Sequence, residues 1–145
     1  MTSVRRLAWQ IYRVVIALIA LACVVQIFLA GRGVFGIHGA TKLDDQTSLN
    51  AHRDLGEIIG IATVVAFLLA LVLWNKRLML WTFVLVVLAE VVQHATALPK
   101  HPWISGLHPV SGVAILGISA WLAHSAWARR NADPRTDTAL DTPSS

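Results

Sequence analysis

Two short stretches set an imidazole and a glycine at the same spacing: "HRDLG" at His52 to Gly56 and "HPVSG" at His108 to Gly112, each His-x-x-x-Gly. On a helix, positions i and i+4 lie about 40° apart around the axis, so each glycine removes a side chain beside its ring. The space left suits a neighbouring helix backbone or a flat ligand such as a porphyrin held by the imidazole. Two such motifs on facing helices fit one haem b gripped from both sides, with His52 and His108 as axial ligands of its iron. Thr63 and Ser119, each eleven residues past its histidine, return to nearly the same face and keep it narrow. Arg53 and Lys100 are basic groups near the ends of apolar runs, where haem propionates would emerge.

A single His-x-x-x-Gly has a blander reading, in which histidine ends a helix among lipid headgroups and glycine serves packing. On that reading the chain is a cofactor-free accessory or scaffold subunit. The duplication argues for the ligand.

Glu90 lies inside an apolar run, where an acid is costly and usually marks a site or a pair. It shares a helix face with His94, and Gln93 adjoins them, so "EVVQH" offers an acid, an amide and an imidazole. These could orient an axial histidine through its free ring nitrogen, or Glu90 is protonated and hydrogen-bonded to a neighbouring helix. In an enzyme, Glu90 and His94 are the candidate catalytic residues that handle protons. His94, His101 and His108 recur every seven residues and His38 lies in another loop, a set that zinc or copper could use. Pro99 and Pro102 interrupt that series, so the interval does not imply one face. His124, about 160° around the axis from His108, has no histidine partner at its depth, which leaves ligands for one haem rather than a stacked pair.

The elements that position these residues follow from composition. Of 145 residues, 56% are hydrophobic and 14% charged, outside the range of a soluble domain. Apolar runs at about 12–30, 55–74, 78–98 and 109–128 are each long enough to cross a hydrocarbon core of roughly 30 Å. The runs are continuous, without strand alternation, so helices rather than a barrel satisfy the backbone in lipid. The fold class expected is all-α: a four-transmembrane-helix bundle filling residues 1–130, followed by a disordered cytoplasmic tail at 131–145. The first and third runs share "VVQ", at Val24–Gln26 and Val91–Gln93, so the chain reads as two repeated helical hairpins.

Arg5, Arg6, Arg13, Lys76, Arg77, Arg129, Arg130 and Arg135 lie on the side of both termini, against Arg32, Lys42, Arg53 and Lys100 on the other. The positive-inside rule therefore puts both termini in the cytoplasm and the histidine motifs near the outer side of a bacterial plasma membrane. The charged start "MTSVRR" leads an apolar run too long for a signal peptide, and is read as an uncleaved first helix. Asn50 is expected to cap the second helix, and "NKR" makes a minimal turn between antiparallel second and third helices. The lone Cys23 acts as a small apolar residue, and the six tryptophans mostly mark helix ends. Nothing points to nucleic acid.

At "VVQIFLAGRGVF", "AHRDLG" and "GLHPVSG" the chain resembles an uncharacterised family of four-helix bacterial integral membrane proteins, over most of residues 20 to 125. One histidine on the second helix and another on the fourth is also similar to one half of haem A synthase, and more loosely to other b-type membrane cytochromes. The resemblance implies a four-helix bundle with haem between His52 and His108. The leading expectation is electron transfer or haem handling with a redox partner. The alternatives are a haem-dependent oxidoreductase acting on quinone or an extracytoplasmic metal, and the cofactor-free scaffold. Exposed glycine faces leave a homodimer open.

Overall fold

The computed structural model describes residues 3–36, 49–97 and 102–128. Four helices are long and apolar enough to cross a membrane: α1 (Ser3–Gly36), α2 (Asn50–Leu73), α3 (Lys76–Ala97) and α4 (Leu107–Ala128). Pro102–Ser105 adds a single turn before α4, and no strand occurs among the described residues. The expected tail, Lys100, His38 and His101 lie outside the described residues.

Each helix packs against two neighbours, in the order α1–α2–α3–α4 and back to α1. The diagonal pairs, α1 with α3 and α2 with α4, make no close backbone approach among the described residues. This square arrangement follows from one inward stripe per helix. In α1 the buried residues are Ala8, Tyr12, Ile16, Ile19 and Cys23, and in α4 they are Ser111, Ile115, Ser119, Leu122 and Ala126, at the three- and four-residue steps of one helical face. Most of each span faces outward with apolar side chains such as Leu18, Leu21, Ile61, Leu68, Val110 and Val113. A surface of that kind is compatible with contact with lipid.

Small hydroxyl residues let the backbones come close at the centre. Thr63, Thr82 and Ser119 are fully buried, and each donates to a carbonyl of its own helix: Gly60 at 2.7 Å, Leu78 at 2.6 Å and Leu116 at 3.0 Å. A hydroxyl satisfied within its own turn can be buried without a partner across the interface.

The turn between α2 and α3 is tighter than "NKR". Trp74 takes the left-handed conformation (φ 51°) and Asn75 caps α3, its Oδ1 accepting from the amides of Arg77 (3.1 Å) and Leu78 (3.2 Å). Arg5 donates to the Leu73 carbonyl at 2.6 Å, tying the start of α1 to the end of α2. The expectation that Asn50 caps α2 is corrected: the cap position falls on Leu49, Asn50 is already helical, and no side chain caps this end.

α3 is also not a uniform α-helix. Residues Val87–Val92 form a π-helical stretch. Inward positions in α3 run Leu78, Thr82, Leu85, Ala89 and then Gln93, a last step of four, whereas in α1 the step from Cys23 to Gln26 is three. A π-turn absorbs one extra residue without breaking the helix, and such turns are frequent at functional sites.

Candidate functional site

His52 and His108 meet across the bundle. They stand in the first turns of α2 and α4, the diagonal helices, and their ring centroids are 6.2 Å apart with planes tilted by 60°. Pro109 is accommodated beside His108 because a first-turn amide has no helical acceptor to lose. Both rings are half-buried.

Each histidine is held by a glutamine of the preceding helix. Gln26 Nε2 donates to the His52 carbonyl at 2.7 Å, and His52 Nδ1 donates back to the Gln26 main-chain oxygen at 3.3 Å. Gln93 and His108 make the same two contacts, at 3.2 and 3.3 Å. A carbonyl can only accept, so Nδ1 carries the proton in both neutral rings and Nε2 keeps its lone pair. Thr96 adds to the second ring: its Oγ1 lies 3.4 Å from His108 Nδ1 while its own proton goes to the Val92 carbonyl at 2.7 Å, leaving the hydroxyl oxygen to accept.

The glycines acquire a definite task in this arrangement. A Cβ on Gly56 would come within 3.2 Å of Gln26 Nε2, and one on Gly112 within 3.4 Å of Gln93 Nε2. The space beside each histidine therefore admits the neighbour's amide to the histidine carbonyl. Of the two occupants the motif allowed, the neighbouring helix fills it. Gln26 Oε1 is buried, and no group among the described residues donates to it.

The other expected residues distribute unevenly. Thr63 and Ser119 lie in the fully buried centre, while Arg53 is exposed at the start of α2. Of the "EVVQH" group, Gln93 is the one that reaches His108. His94 is exposed, its Nδ1 donating to the Glu90 main-chain oxygen at 2.7 Å. The Glu90 carboxyl packs against Gly60 of α2, where a Cβ would overlap Oε1 and approach Cδ to 3.2 Å. His124 is exposed near the opposite end. Among the described residues no group of three or more His, Cys, Asp or Glu converges, and His38 and His101 of the zinc or copper set lie outside them. A groove of about 410 Å³ runs along the flank between α1 and α2, lined only by apolar residues including Val15, Leu18, Ala22 and Ile58, and neither histidine lines it.

Sequence reasoning marked "VVQ" as a repeat but gave Gln26 no role, and it passed over Thr96. The signal was present: an amide recurring inside an apolar run needs a partner, and the histidine motifs recur beside it.

Fold and site together define a four-helix bundle, its helices long and apolar enough to span a membrane, with a glutamine-supported histidine pair at one end. No family model, curated protein or solved structure matches the chain.

Proposed function

We propose that the protein is a membrane haem b-binding protein, with His52 and His108 as the two axial ligands of a single iron. One observation carries the reading: two imidazoles from helices whose backbones make no close approach come within 6.2 Å, each with Nδ1 committed to a carbonyl and no partner for Nε2 among the described residues. A metal bonded to one nitrogen of each ring at about 2.0–2.1 Å separates the centroids by roughly 6 Å. Nδ1–H donation to a backbone carbonyl is the usual outer support of a ligating histidine, fixing tautomer and raising basicity. The two histidines suit a group that brings its own four equatorial nitrogens. Bound haem would supply one-electron chemistry, for electron transfer or haem handling.

The two-hairpin reading of the chain is supported by matched detail. Gln26–His52–Gly56 and Gln93–His108–Gly112 make the same contacts, and the buried set Ile59, Thr63, Ala66, Ala70 of α2 recurs 56 positions on as Ile115, Ser119, Leu122, Ala126 of α4. We place both termini in the cytoplasm and the histidine end outward, on the distribution of Lys and Arg. At the opposite end Arg13 and Arg77 stack over Trp127 (4.5 Å) and Trp121 (4.8 Å), an aromatic and cationic rim suited to an anionic headgroup region.

A dithionite-reduced minus oxidised spectrum of detergent-purified protein, expressed with ample haem, tests the proposal. Sharp α and Soret bands that vanish in His52→Ala and in His108→Ala are expected. A wild-type sample without bound haem would overturn axial ligation and favour the scaffold.

A further inference from the structure

Glu90 is the one acid deep within the described spans, and nothing among the described residues pairs with its carboxyl. Among the described residues its carboxyl has no hydrogen-bond partner, while its main-chain oxygen accepts from His94 Nδ1. The charged or titratable groups on the elements around it are Arg53, Asp54 and Glu57, all exposed at the start of α2, His108 and the distant His124 on α4, and His94 with the distant Lys76 and Arg77 on α3 itself. A carboxylate with no counter-ion is costly in an apolar layer, and a proton is the smallest ligand that removes the cost.

The two halves of the chain show what the fold itself requires at this place; the comparison rests on the two-hairpin reading proposed above. Ala89 occupies in α3 the inward position that Cys23 occupies in α1, and the shared Val-Val-Gln pairs Val24 with Val91, so Glu90 is the residue that α1 lacks. Gly60, beneath the Glu90 carboxyl, stands where α4 has Leu116, and the hydroxyls of Thr63 and Ser119 bond to those two residues' carbonyls and fix the match. Where α4 has Leu116, the half with Glu90 has a glycine that makes room for the acid. The same half holds the extra residue of the π-turn, Val87–Val92, which contains Glu90.

We propose that Glu90, seated against Gly60, is an intramembrane proton-binding site: its carboxylate takes up one proton to become the neutral acid and returns it, exchanging with the histidine end of the bundle. His94, exposed one turn nearer that end, is the adjoining titratable side chain on α3.

Labelling with dicyclohexylcarbodiimide, an apolar reagent that adds to protonated carboxyls, tests this on the full chain in lipid nanodiscs. Mass spectrometry should find an adduct at Glu90 that falls at least tenfold between about pH 5 and pH 9, while exposed Glu57 labels weakly throughout. An infrared carboxylic acid band should disappear in Glu90→Gln. Labelling of Glu90 no stronger than that of Glu57, or independent of pH, overturns the proposal. The double variant Glu90→Val with Gly60→Leu makes both positions apolar and should still fold; a chain that no longer folds makes the acid structural and overturns it too. Labelling needs no haem, so this inference and the haem proposal fail separately.

Discussion

Gln26 and His52 bind each other twice, the glutamine side chain reaching the histidine main chain and the histidine side chain reaching the glutamine main chain. Such a reciprocal clasp fixes both the height and the rotation of the ring. Neither hydrogen bond alone would do both, because each constrains one end of the residue.

The clasp makes a graded expectation for the glycines. Gly56→Ala meets only the far end of a flexible amide at 3.2 Å and should be tolerated. Gly56→Leu and Gly112→Leu should expel the amides of Gln26 and Gln93, removing about 0.5–1.5 kcal/mol of hydrogen bonding each and lowering haem occupancy. Thermal unfolding in detergent and the reduced spectrum read the two effects. Full occupancy in both leucine variants would show that the clasp does not position the rings.

At the centre of the bundle, volume should matter more than polarity. Thr63 and Ser119 bond within their own helices and are fully buried. Ser119→Ala therefore removes no contact across an interface and should change stability by about 0.5 kcal/mol or less. Thr63→Leu overpacks a closed site and should cost about 1–3 kcal/mol. Equal unfolding midpoints for the two variants would contradict a tightly packed centre.

Orientation gives a third expectation. A green fluorescent protein fused after Ser145 should fluoresce and a secreted phosphatase in the same place should stay inactive, since the proposed topology keeps the C-terminus in the cytoplasm. Replacing Lys76 and Arg77 with Gln removes the charges of the α2–α3 turn and should weaken that preference. An active phosphatase fusion in the unmodified chain reverses the assignment of the histidine end.

The four spans were legible because lipid demands long apolar runs, and a run of twenty such residues has few alternatives. The histidine pair was legible because two motifs at one spacing imply two rings at one depth. Three features were not. The first is the role of Gln26, because a side chain that bonds main-chain atoms of another helix leaves no spacing signature within its own. The π-turn is silent for a related reason: an extra residue shows only when the inward stripes of α1 and α3 are laid side by side, and Val, Leu and Ala fill both faces alike. The third is the start of α2, where Asn50 looks like a cap by type yet the chain enters one residue earlier, at Leu49.

His52 and His108 ride on α2 and α4, whose backbones make no close approach among the described residues. Neither ring can meet the other until all four helices have packed, so on the proposed two-hairpin reading the first pair of helices would wait for the second to dock. Iron bridging the rings would then act as a rivet across that late seam, and the cell could distinguish a finished molecule from a half-built one by whether it had acquired colour.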